Sequence, residues 1–195
     1  MKFSRRVVLF LAFLTVGAAS GGLGSSWARE GRPEDGSIPQ CLSKDAAALP
    51  VDNERVLRFK KTTPNQYFDR AYIEGTVTRE FAGDKSHAHF EVRIGPEEGD
   101  VIEVVFNRDF GKPDPSIGDS AMACGDYITS IAPTNRYKAS PSGAIVHWVH
   151  ENSRGGPHPD GFVVLRGKEL YGYGQRAYPV VRNQQPKTVV ENSRQ

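Results

Sequence analysis

His87-Ala88-His89-Phe90-Glu91-Val92-Arg93-Ile94 alternates without a break. Ala88, Phe90, Val92 and Ile94 share one face, and His87, His89, Glu91 and Arg93 share the other, the period of two that a strand buried on one side requires. Upstream, Ile73, Val77 and Phe81 alternate with Glu74, Thr76, Thr78 and Glu80, predicting a strand that begins near Ala71. Gly75 inside that strand predicts a bulge or sharp bend, a device closed barrels use at their corners. Turn residues 82–85 join the two strands, and Gly95-Pro96-Glu97-Glu98-Gly99-Asp100 makes the next turn. A third strand follows at 101–109 with Ile102, Val104 and Phe106 facing in, ended by Pro113 and Pro115. A fourth covers 117–131 and a fifth 144–151. Five strands with turn signals between them predict an all-β fold, a small barrel or sandwich.

The flanks read differently. Residues 29–40 are polar and rich in Gly and Pro, the composition of a linker. Ser43 as a cap and Pro50 as a stop suggest a short helix at 43–49, while 55–60 reads as a further strand. The stretch after Gly174 lacks apolar periodicity and reads as a loose tail. The expected organisation is a signal peptide at 1–28, an N-terminal extension at 29–70, a β-barrel domain at 71–174 and a C-terminal tail at 175–195.

Lys2, Arg5 and Arg6 precede an apolar run at 7–19 and then small residues, the pattern of a secretory signal. That run is shorter than the roughly 20 residues a permanent span needs, so an exported product, periplasmic or secreted, is expected. Cleavage after Ala28 is preferred over a site near 18–20, and the adjacent arginines leave the general and twin-arginine routes both open. Removing the leader takes away three cations, which leaves 22 Lys and Arg against 23 Asp and Glu. A mature chain that close to neutrality lacks the basic surplus that drives binding to nucleic acid backbones. Cys41 and Cys124, in an exported chain, are expected to pair.

Chemistry concentrates in 143–161, which holds three of the five histidines. His147 and His150 lie in the fifth strand, and a Gly-Gly-Pro turn brings His158 back toward them. Neutral imidazole is a common metal ligand, so His87, Asp109, His147, His150 and His158 are candidate ligands for a divalent metal such as Zn²⁺. His87, Asn107, Asp109, Trp148, His150 and His158 form the wider candidate ligand-binding set. His147 and His150 are three positions apart, which sets them on opposite faces unless the strand twists or ends between them. His150 and His158 are therefore better candidates than His147 for the solvent-facing pair; His147 reads equally as a buried core histidine or a site residue, and His89 as a surface one. Trp148 reads as a plug of the core or rim.

Gly143-Ala144-Ile145-Val146-His147-Trp148-Val149-His150, His158-Pro159-Asp160-Gly161-Phe162 and Gly167-Lys168-Glu169-Leu170-Tyr171 resemble an uncharacterised family of small exported bacterial proteins, catalogued as domain of unknown function 3465. Gly75-Thr76-Val77, His87-Ala88-His89-Phe90, Asn107-Arg108-Asp109 and Gly118-Asp119 are similar to its upstream strands. The resemblance spans 73–171; Asn152-Ser153 stands where the family tends to have Asp-Pro, and Pro157 is an extra residue. It implies an OB-like five-stranded barrel and no particular activity. The His-x-His of strand two is also similar to cupin metal motifs, whose spacings this chain misses.

In OB barrels, strands two and three and the loops joining strands one to two and four to five form the usual ligand surface. Three functions follow as expectations. The first is an exported module that binds a small polar ligand or metal through a histidine cluster. A second is a metal-dependent hydrolase, of phosphodiesterase or nuclease type, with His150 or His158 as base and Asp109 orienting it. The third is a structural envelope domain without a site. No Gly-x-Ser-x-Gly, P-loop or His-Glu-x-x-His is present.

Overall fold

The computed structural model describes residues 37–179; the expected signal peptide and residues 180–195 of the expected tail lie outside them. The described chain is α1 (Asn53–Thr62), β1 (Phe68–Phe81), β2 (His87–Arg93), β3 (Val101–Asn107), a 3-10 turn (Arg108–Phe110), β4 (Ser120–Thr129), β5 (Ala144–His147), β6 (Phe162–Leu165), β7 (Glu169–Gly172) and β8 (Gly174–Pro179). Strands pair in the order β1-β2-β3-β5-β4, and β4 returns to β1 to close a barrel. The β3–β5 pair is parallel and the other barrel pairs are antiparallel. This is the OB-like five-stranded barrel expected, with β6, β7 and β8 continuing outward from β4. No described helix is long and apolar enough to cross a membrane.

Closure depends on two strands that change partners along their length. β1 pairs with β4 from Phe68 to Thr76 and with β2 from Thr76 onward, with a register shift between Val77 and Arg79. Gly75 stands beside the changeover, where a Cβ would lie 2.0 Å from the Arg93 carbonyl oxygen. β4 gives its first half to β6 and its second half to β5, dividing between Cys124 and Asp126. Gly125 sits at that fork, and a Cβ there would lie 2.4 Å from the His147 carbonyl oxygen. Both glycines serve close backbone approach, the bend signalled by Gly75 included.

The inward faces are those of the alternation. Ala88, Phe90, Val92, Ile94, Ile102, Val104 and Phe106 are all buried. The outward face of β2 and β3 is covered as well, because residues 130–143 fold over it. Ser142 Oγ donates to Glu91 (2.7 Å), Ser140 Oγ to Glu103 (2.5 Å) and Thr78 Oγ1 to Glu91 (2.9 Å), so two carboxylates lie buried with partners. His89 joins them through Nδ1 on Glu103 at 2.7 Å, which corrects its reading as a plain surface residue.

Several local expectations are overturned. Residues 43–49 form a tight turn closed by a Leu42–Ala48 bridge and a Leu49 N–H bond to the Cys41 carbonyl, because Ser43 Oγ caps Ala47 N–H locally instead of starting a helix. Residues 55–60 belong to α1, not to a strand. Asp52 caps it by accepting from Arg55 N–H at 2.9 Å, Lys60 and Lys61 close its last turn, and Val56 inserts into the barrel core. β1 starts at Phe68, three residues before the expected position. Residues 175–179, expected as tail, belong to β8 (Gly174–Pro179), which pairs with β7. The fifth strand ends at His147 because Trp148 adopts φ +53°.

Cys41 and Cys124 form the expected disulfide, closing a loop of 83 residues. Both residues are buried with Phe162, Val164, Leu170 and Tyr173 in a second apolar cluster outside the barrel. Chain-entropy arithmetic gives such a loop an upper figure on the order of 4 kcal/mol. Replacing both cysteines by Ala is expected to lower unfolding stability by about 2–4 kcal/mol in urea titrations. Gly125→Ala is expected to cost roughly 3 kcal/mol by the same measurement, since the β4–β5 backbones would have to separate.

Candidate functional site

Trp148 opens the site. A bulky aromatic at φ +53° is an outlier for an L residue. The turn redirects the chain out of β5 and leaves the indole 39% exposed at the rim. His150 and Gly161 then reconnect through a 2.8 Å bond from Gly161 N–H to the His150 carbonyl, and Glu151 N–H bonds the Gly172 carbonyl at 2.9 Å. Between these anchors, Asn152 builds the loop. Its Nδ2 donates to the carbonyls of Gly156 (2.7 Å) and His158 (2.6 Å), and its Oδ1 accepts from Gly156 N–H (2.9 Å). Its backbone N–H binds Asp160 Oδ1 at 2.6 Å.

A cleft of about 630 Å³ lies between this loop and the end of β3. Asn107, Asp109, Trp148, His150 and His158, five of the six expected ligand-binding residues, line it, together with Phe110 and Arg154. His87, the sixth, stands one ring away, 5.8 Å from His147, which in turn lies 5.4 Å from Trp148. All five histidines therefore form one chain of ring contacts, from His89 through His87 and His147 to Trp148, which touches both His150 and His158. Among the described residues no three His, Cys, Asp or Glu side chains converge on a metal position. The five expected metal ligands, His87, Asp109, His147, His150 and His158, thus share a neighbourhood without forming a coordination set.

The two histidines of the cleft have distinct environments. His150 is 7% exposed, less open than expected, because its ring stacks on Phe110 with centroids 3.9 Å apart. Its Nδ1 lies 2.8 Å from the Glu151 carbonyl, which can only accept, so Nδ1 carries the proton and Nε2 holds a lone pair. Burial lowers its pKa, which favours the neutral ring. His158 stacks on Trp148 with centroids 4.5 Å apart, and its Nδ1 is hydrogen-bonded to Asp126 Oδ2. Again Nε2 is left uncommitted among the described residues.

Asp126 and Arg70 were not among the expected site residues. Both side chains are 1% exposed and pair at 3.2 Å. Arg70 also donates from Nε to the Leu42 carbonyl (3.0 Å), from Nη2 to Cys124 Sγ (3.3 Å) and to the Asp160 carbonyl. Asp109, the expected orienting group, instead belongs to the 3-10 turn, where its N–H is capped by Asn107 Oδ1 at 2.9 Å. The available signal was an acid in the middle of the buried fourth strand, since such a charge demands a partner.

Comparisons with protein-family models, curated proteins and solved structures return no match for this chain.

His147 supplies a measurable consequence. Burial, followed by repulsion from His87, His150, His89 and His158, pushes its pKa down to about 4. A histidine with a depressed folded-state pKa binds its proton more readily when unfolded, so stability falls as pH drops below the ordinary value of about 6.5 toward the folded one. Between pH 7 and pH 5 the wild type is expected to lose about 2 kcal/mol more than His147→Gln, measured by urea unfolding.

Proposed function

We propose that this chain is an exported binding module whose histidine-lined cleft takes a small polar ligand. One observation carries the reading: two imidazoles with fixed tautomers, each in ring contact with a strained, exposed Trp148, keep Nε2 uncommitted among the described residues. Strained backbone at a bulky residue and a buried charge pair beneath it both cost stability, a pattern that concentrates at functional sites. The site lies at the end of strand three and on the loop that leads out of strand five, whereas the strand-four-to-five loop expected to carry the ligand surface packs on Glu91 and Glu103 instead. The barrel architecture is also what the resemblance to the exported bacterial family implies. Export itself draws on the leader pattern and on a disulfide of the kind found in oxidising compartments. A hydrolytic second reading draws on Nδ1 of His158, which is held by a buried carboxylate.

Cleavage after Ala28 would make Trp148 the sole tryptophan of the mature chain, since the other is Trp27. Its fluorescence is therefore a single-site reporter. Residues 29–195 titrated with adenosine 3′-monophosphate, citrate, glucose and ZnCl₂ are expected to show a saturable emission change with at least one organic solute. That change should weaken at least tenfold in His150→Ala, which removes about 1.4 kcal/mol or more of binding. A response to ZnCl₂ alone would replace the small-ligand reading with metal binding, and no response to any of the four would overturn both.

A further inference from the structure

The cleft holds more than binding requires. His150 and His158 differ in what sits behind each ring. Behind His150 is a neutral carbonyl and a phenyl face; behind His158 is the carboxylate of Asp126, fixed by Arg70. The first surroundings favour a neutral imidazole with a free lone pair, a base. Behind the second, the Asp126 carboxylate holds Nδ1 and faces the positive charge that develops on the ring during proton transfer. The Nδ1 partners make the two rings inequivalent, which separate proton-transfer roles require. Arg154 is the one Lys or Arg among the lining residues, which also include Asp109 and Glu151, and Trp148 offers exposed aromatic surface beside both histidines.

Resting on the reading of this cleft as a small-ligand site, we propose that its ligand is a short ribonucleotide phosphodiester and that the cleft cleaves it by acid–base catalysis. Nε2 of His150 takes the proton of the ribose 2′-hydroxyl. The 2′ oxygen forms a bond to phosphorus, the bond between phosphorus and the 5′ oxygen breaks, and that oxygen receives the proton from Nε2 of protonated His158. The products are a 2′,3′-cyclic phosphate and a 5′-hydroxyl, and proton exchange with water resets both rings. The internal hydroxyl supplies the nucleophile, so two imidazoles complete the proton transfers and no redox partner enters. Arg154 provides a cation for the phosphoryl oxygens and Trp148 a π-face for a base. The near-neutral mature chain, with one cation set against Asp109 and Glu151 in the cleft lining, disfavours a long strand and leaves room for at most a single bridging phosphate, as in a dinucleotide. His150 and His158 are catalytic residues in this scheme; Asp126 and Arg70 are positioning residues.

The test uses residues 29–195 and the dinucleotide cytidylyl-(3′→5′)-adenosine, with its 2′-deoxycytidine counterpart as the uncleavable control, in EDTA. Chromatography is expected to show the cyclic phosphate from the ribonucleotide alone. His150→Gln and His158→Gln, purified identically and checked for native circular dichroism, are each expected to lose on the order of 100-fold in rate. Asp126→Asn provides the readout that a merely structural role would not move. The ¹⁵N imidazole spectrum of its neutral His158 should show a shift from the Nδ1–H tautomer toward Nε2–H, with loss of cleavage in a folded protein. Cleavage equal in all variants would mark a contaminant and overturn the inference. A saturable Trp148 emission change with the deoxy control but no cleavage of the ribonucleotide would overturn it while leaving the binding site intact. Neither binding nor cleavage of the dinucleotide would also overturn it, and the panel of other solutes then decides separately whether the cleft binds anything.

Discussion

The guanidinium of Arg70 is the contact on which the arrangement of the site depends. Its three nitrogens reach Leu42 in the N-terminal segment, Cys124 and Asp126 on β4, and Asp160 at the end of the cleft loop. Burial works against its charge and Asp126 works for it. An ion pair this dry is a poor source of stability, since desolvation offsets most of the attraction. Its value here is geometric. A planar fork with several donors can satisfy acceptors from several segments at fixed angles, which a lysine at the same position could not do. The disulfide ties the same N-terminal segment to the same strand, so Arg70 and the Cys41–Cys124 bridge act on one joint.

From that joint the constraint passes outward along the loop. Asp160 accepts from Arg70 through its carbonyl and from Asn152 N–H through its side chain, and Asn152 in turn holds Gly156 and His158. On the inner side, backbones approach too closely for side chains. A Cβ at Gly161 would lie 2.2 Å from the Trp148 carbonyl oxygen, and one at Gly172 would lie 2.9 Å from that of Val149. The left-handed turn at Trp148 is thus held between a polar lattice and a set of glycine contacts. Strain of this kind persists only where its surroundings over-determine it.

What the sequence made legible follows from which signals are local. Alternation in 87–94 identified both faces of β2, and the same period fixed the inward residues of β3. The cysteine pair followed from compartment alone. Residues 55–60 were misread because Val56 and Phe59 sit on one helical face while their neighbours also suit a strand, and the decisive signal, the Asp52 cap, lay outside the window. β6, β7 and β8 are short strands of four to six residues, and only β6 is anchored on β4 across a long sequence distance, so local periodicity carried little of them. At the site, residue types were legible and their partners were not. The histidines announced themselves by clustering, whereas Asp126 and Arg70 sit 56 residues apart in sequence and meet only through the β1–β4 ladder.

That asymmetry matters for the chemistry, because an imidazole's role is set by what its other nitrogen bonds. His87 Nδ1 meets Ser86 Oγ at 2.9 Å, His89 meets Glu103, His150 meets the Glu151 carbonyl and His158 meets Asp126. Four rings of one type therefore face four different groups: a hydroxyl, a carboxylate, a neutral carbonyl and a carboxylate braced by a guanidinium. Only the last two rings border the cleft. A count of histidines suggests a metal centre, since it treats the rings as equivalent. Their Nδ1 partners make them inequivalent, and a site built from inequivalent imidazoles is suited to moving a proton from one place to another.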